Sequence, residues 1–188
     1  MSQFTQSLDA ALETFESLRQ LEPKIIEAAD LVLACLKSGG KLLICGNGGS
    51  AADSAHIATE FTCRFQGDRR PYPAIALSSD GGLLTAIGND YAFQDIFARQ
   101  VRAFGKAGDV FIGLSTSGKS RNVLSAIEEA KRIGMRSIVL LGKGGGFTKG
   151  AADIEIDVAG TVTARIQEAH KFLLHTICEL VEPGLEKE

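Results

Sequence analysis

Four short apolar runs, KLLICG, YPAIAL, DVFIGL and RSIVLL, recur along this chain, and a weaker fifth, ADIEIDV, follows them. Between and after them lie segments long enough for helices: 50–65, about 81–104, 119–134 and 162–182. Runs that stay apolar throughout suit strands covered on both faces of a sheet. Strands separated by helices have to return in the same direction. The pattern therefore predicts a doubly wound parallel sheet of five strands with helices on both faces, an α/β fold.

Two further helices precede the first strand. Phe4, Leu8, Leu12, Phe15 and Leu18 recur near a helical period, and Pro23 suits the first turn of a second helix carrying Ile25, Ile26, Ala29, Leu33 and Leu36. Gly39-Gly40 ends it. These helices and the long last one have apolar faces beyond what a small sheet needs to cover. They predict a helical bundle beside the sheet or between subunits, with residues 1–38 at the subunit interface. No linker divides the 188 residues, so one domain spanning 1–188 is expected.

Several function classes drop out. A net charge of -3 argues against a general electrostatic grip on nucleic acid. Neither a signal peptide nor an apolar run of about 20 residues is present, which predicts a soluble cytoplasmic protein without a membrane partner. Cys35, Cys45, Cys63 and Cys178 are scattered, with no CxxC pair, and read as buried reduced thiols.

Two turns carry chemistry. GNGGSAAD leaves the first strand and opens a helix, and its glycines let backbone N–H groups approach an anion at the helix start. It is neither a Walker loop nor a GxGxxG fingerprint. Ser50, with Asp53 three residues on, would also make an ordinary helix cap. The second turn, LSTSGKSRNV, gathers Ser115, Thr116, Ser117 and Ser120 around Gly118 at another strand-to-helix junction. One hydroxyl is enough for a cap. Four in six residues point to a phosphate monoester held by neutral donors and the positive end of a helix.

His56 and Glu60 are four residues apart on one helix and face the same way. They suit a metal-ligand pair, a general base with its orienting partner, or a plain hydrogen-bonded pair. In the last helix, RIQEAHKFLLH places Gln167 and His175 eight residues apart, about 12 Å of helix rise. For both to join one site, the helix has to bend or different copies of the chain have to supply them.

These motifs, together with HIATEF and TAIGNDYAFQDIFARQV, closely resemble the phosphoheptose isomerases of the sugar isomerase (SIS) domain family over nearly the whole chain. The resemblance implies a five-stranded doubly wound SIS fold and a homotetramer with sites at subunit interfaces. It also implies conversion of D-sedoheptulose 7-phosphate to D-glycero-D-manno-heptose 7-phosphate through an enediol, the first step towards activated heptose for lipopolysaccharide core or other surface glycans. Carried over by position, it makes Glu60 and His175 the proton-transfer pair. It gives sugar-phosphate binding to Asn47, Gly48, Gly49, Glu60, Asn89, Asp90, Ser115, Thr116, Ser117, Ser120 and Gln167. One zinc per subunit would be held by His56, Glu60, Gln167 and His175. Ala164 and Thr59 stand where some members carry acids. Two alternatives remain: a non-enzymatic relative of this fold that binds the replication initiator DnaA, and an isomerase of another sugar phosphate.

Overall fold

The structure is a computed structural model and describes residues 1–186. Two helices lead: α1 (Gln3–Ser17), started by the Ser2 hydroxyl accepting from Thr5 N–H, and α2 (Glu22–Lys37), with Pro23 in its first turn. There follow β1 (Leu42–Gly46), α3 (Gly49–Thr62), β2 (Ala74–Ala76), α4 (Gly81–Asp90), α5 (Ala98–Phe104) and β3 (Val110–Ser115). The chain continues through α6 (Arg121–Arg132), β4 (Arg136–Gly142), β5 (Ile154–Val158) and α7 (Thr163–Val181).

All five strands are parallel, in the order β2-β1-β3-β4-β5. Alternate strand residues enter two separate cores. Leu42, Ile44, Ile112 and Leu140 pack under α2, α3 and α7, whereas Leu43, Cys45, Phe111 and Val139 pack under α4, α5 and α6. Burial on both faces explains why the central strands read as unbroken apolar runs. The fifth strand lies at the edge, and its alternation of buried Ile154, Ile156 and Val158 with half-buried Glu155 and Asp157 explains its weaker signal.

The segment expected as one helix over 81–104 is broken. It ends at Asp90, passes through a 3-10 turn at Phe93–Asp95 and resumes as α5. Gly88, Asn89 and Asp90 are weak helix formers, and Asn and Asp favour competing turn geometries. The thiols also differ in part from expectation. All four are free, but Cys63 is exposed.

The strand order sets the location of the site. From β1 the chain runs outward to β2 and then crosses back to β3 on the other side of β1. The turn after β1 leads to α3 on one face, and the turn after β3 leads to α6 on the other. A crevice therefore opens at the carboxyl ends of β1 and β3, the usual ligand position in such sheets.

Candidate active site

Both Gly/Ser turns lie at that crevice, since Gly46 is paired with Leu114 at the ends of β1 and β3. In the first turn the helix cap is Gly48, at φ +56°, and Ser50 sits inside α3, buried, with no capping bond. The cap expected at Ser50 is thus displaced, because the turn needs a left-handed residue that only glycine adopts cheaply. In the second turn Ser120 is the cap residue of α6, yet its hydroxyl bonds Ser115 Oγ at 2.9 Å and not the helix amides. Ser117 Oγ accepts from Lys119 N–H at 3.2 Å. Hydroxyls in excess of capping fit an anion cradle.

A buried residue joins the two turns. Asn122, in the first turn of α6, exchanges two hydrogen bonds with Asn47: Asn47 Nδ2 donates to Asn122 Oδ1 at 2.9 Å, and Asn122 Nδ2 donates to Asn47 Oδ1 at 2.8 Å. Sequence reasoning passed over Asn122. A polar residue beside the buried Val123 was its only trace.

The titratable group comes from α3 and α7. His56 Nε2 lies 2.9 Å from His175 Nε2 and 3.2 Å from Glu60 Oε1. The His175 ring stacks on Phe65, centroids 5.9 Å apart. Glu60 is largely covered, while the His56 side chain is 43% exposed. Two facing imidazole nitrogens need a shared proton or a cation between them, and a single Nε2 hydrogen on His56 cannot serve both neighbours fully. Ligand atoms of His56, Glu60 and His175 all lie within 4.8 Å of one another. Two imidazoles and a carboxylate are a donor set suited to zinc with an open fourth position.

Arg69 fixes the end of α3 that carries Glu60. Its guanidinium is buried and donates to the carbonyls of Glu60 and Phe61. It also bonds Glu182, whose carboxylate receives Gln66 and Gly67 N–H. The segment that brings Phe65 to His175 is thereby tied to the end of α7.

Three placements bear on the expected site residues. First, one chain alone brings Glu60 and His175 together beside His56. Second, α7 is one continuous helix, and Gln167 two turns before His175 turns to other partners: its Nε2 donates to the buried Asp53 at 3.1 Å and its carboxamide rests on Gly49. Among the His, Cys, Asp and Glu side chains of the described residues, the group whose ligand atoms converge is His56, Glu60 and His175. Third, Asn89 and Asp90 bond each other at 2.8 Å and are exposed at the end of α4, with no bond to either turn among the described residues. His170, the other histidine of α7, is a core residue. Its Nε2 donates to the Leu141 carbonyl at 2.8 Å, and burial pushes its pKa down to about 4, which keeps it neutral.

Comparison with known proteins finds relatives over nearly the whole chain. The SIS domain family model matches residues 3–142. The phosphoheptose isomerase of Campylobacter concisus (strain 13826) is 47% identical over 175 residues, 93% of each chain. Among solved structures, the phosphoheptose isomerase of Neisseria gonorrhoeae superposes with a TM-score of 0.84 at 43% identity, covering 96% of this chain and 95% of that one. The Francisella tularensis phosphoheptose isomerase gives 0.88 at 40% identity, covering 96% and 94%.

Proposed function

Since the chain belongs to the SIS domain family, and within it to the phosphoheptose isomerases, we propose that it converts D-sedoheptulose 7-phosphate to D-glycero-D-manno-heptose 7-phosphate, with Glu60 and His175 moving the protons. The observation that carries this assignment of roles is the approach of His56, Glu60 and His175 on helices that begin at, or pack against, the Gly48–Gly49 turn.

The exchange moves hydrogen between neighbouring carbons. A base removes a proton from C1 of the ketose while the C2 oxygen gains one, which gives an enediol. A proton then returns to C2, and the C1 hydroxyl loses its own to become the aldehyde. No net redox change occurs. Glu60 acts at carbon, and His175 donates and accepts at oxygen. The Glu60 side chain is only 15% exposed, which limits exchange of the carried proton with solvent.

The phosphate is the remote handle. Asn47, Gly48 and Gly49 offer backbone and side-chain donors from one turn, and Ser115, Thr116, Ser117 and Ser120 offer hydroxyls and the start of α6 from the other. Gly49 and His56 are seven residues apart on α3, about 10 Å of rise. That spacing suits a substrate whose phosphate and carbonyl are separated by several carbons. Gln167 lies at the phosphate end, against Gly49.

His56, Glu60 and His175 would hold a zinc ion, one per subunit, which when bound polarises the carbonyl. A homotetramer is part of this reading. Phe4 and Leu12 of α1 are 76% and 60% exposed, and Ile26, Phe172 and Leu180 extend the same uncovered apolar surface around α2 and α7. Asn89 and Asp90 would then reach substrate only across such an interface. None of the described helices is long and apolar enough to cross a membrane, and the product would feed surface-glycan synthesis in the cytoplasm.

The test is a panel of ketose phosphates of five to seven carbons, followed by product analysis. Aldose heptose phosphate from sedoheptulose 7-phosphate alone supports the reading. Preference for a shorter or amino sugar refutes the substrate. Absence of turnover with every one refutes the enzyme in favour of a non-catalytic binder.

A further inference from the structure

We propose that Asn122 is a positioning residue that latches the two phosphate-binding turns together and turns Asn47 into a hydrogen-bond donor for the phosphate; this rests on the phosphate-binding reading above. The turns after β1 and β3 leave the sheet towards opposite faces. Nothing in a parallel sheet holds such diverging turns at a set separation beyond the ends of their strands. The reciprocal Asn47–Asn122 pair spans this opening, between residues 75 apart in sequence.

The chemistry of the pair has a fixed direction. Asn122 Oδ1 also accepts from Val123 N–H at 3.0 Å. A main-chain N–H cannot act as an acceptor, so this bond decides which atom of the Asn122 carboxamide is oxygen. The other atom must be Nδ2, which then demands Oδ1 of Asn47 as its acceptor. Asn47 is oriented in consequence. Its oxygen is engaged in the pair, and its Nδ2 keeps one of two hydrogens free. Asn122 is 2% exposed and has no room to contact a ligand itself, whereas Asn47 is half-buried at the crevice. A side chain locked as a donor selects an anion and rejects a cation or a second donor. Without the latch, Asn47 can flip and offer oxygen to the phosphate.

The experiment is a double-mutant cycle on the full chain with N47A, N122A and the double variant. It uses inorganic phosphate as probe in calorimetry and sedoheptulose 7-phosphate for KM and kcat. Each single variant is expected to weaken phosphate binding roughly tenfold, the scale of one hydrogen bond to a charged group. The double variant is expected to be no weaker than N47A. KM should rise in parallel while kcat stays within about threefold, because the reacting end is untouched. A merely structural asparagine would lower the melting temperature without changing the phosphate affinity of the folded fraction. Additive losses in the cycle, an unchanged affinity in N122A, or no phosphate binding by the unsubstituted protein would each overturn the latch. If N122A does not fold, N122S carries the same cycle, since its hydroxyl still accepts from Val123 N–H but cannot serve both atoms of Asn47. A protein that binds phosphate with the non-additive pattern yet leaves heptulose phosphate unconverted would refute the enzyme and leave the latch standing.

Discussion

Gly118→Ala should separate the cost of a left-handed backbone from the cost of a loop contact. Gly118 sits at φ +61° in the centre of the STSGKS turn. A Cβ there would overlap the Gly145 carbonyl and lie 2.7 Å from Gly146 N, both backbone atoms of the loop after β4. That loop is held by Thr148, whose N–H and hydroxyl both donate to the Gly118 carbonyl, at 3.1 and 2.9 Å. The left-handed conformation costs an alanine about 1–2 kcal/mol. Displacing the loop loses the two Thr148 bonds, at about 1 kcal/mol each. Together these come to about 3–4 kcal/mol, enough to lower the melting temperature by about 10 °C in a chain of this size. The turn itself would move, and KM for phosphorylated substrate should rise about tenfold or more. Gly108→Ala is the control: Gly108 has φ +90°, but a Cβ there meets nothing within 4 Å. It lies before β3, at the opposite end of the sheet, and should lose only the strain, about 1–2 kcal/mol, with KM unchanged. Thermal melts by circular dichroism and steady-state kinetics read both. Equal melting shifts in the two variants, with KM unaltered in G118A, would refute the claim that contact with Gly145 and Gly146 requires glycine at 118.

Glu60→Gln keeps size and hydrogen bonding but removes the base, so turnover should fall by more than about a hundredfold while calorimetry shows substrate binding within a few-fold; near-normal kcat would remove Glu60 from the mechanism. Because one chain supplies both residues, refolding inactive E60Q and H175A chains together should restore no more than trace activity, and substantial recovery would mean that a neighbouring subunit exchanges one of them. His170 has its pKa lowered by burial, from 6.5 to about 4. As pH falls below 6.5 the unfolded chain binds a proton that the native chain refuses, so stability declines through that window and the loss is complete near pH 4, at about 3 kcal/mol. Urea titrations at pH 7, 5.5 and 4.5 should show this decline shallower in H170Q, whose side chain can still donate to the Leu141 carbonyl; parallel declines would place the acid sensitivity elsewhere.

How much of this was legible depended on whether the physics was local. The central strands could be read because burial on both faces leaves no polar position in LLICG or VFIGL. The His56–Glu60 pair could be read because helical spacing alone makes them neighbours. The break at Gly88-Asn89-Asp90 was available in the residues, but the apolar positions on either side of it masked it. Strand order was a different matter. Apolar runs are interchangeable in a parallel sheet, and nothing in KLLICG or DVFIGL says that they lie side by side. Yet that adjacency is what makes a crevice of two distant turns and gives Asn122 a partner 75 residues away. It also decides the fate of Gln167. From spacing, Gln167 and His175 join one site only if the helix bends or different copies of the chain supply them. With α3 in place, α7 runs beside it: Gln167 meets Gly49 and Asp53 near the start of α3, and His175, eight positions on, meets His56 farther along. The separation that looked like an obstacle to a shared site is the rise from the Gly49 turn to the His56–Glu60 group, so one continuous helix meets both.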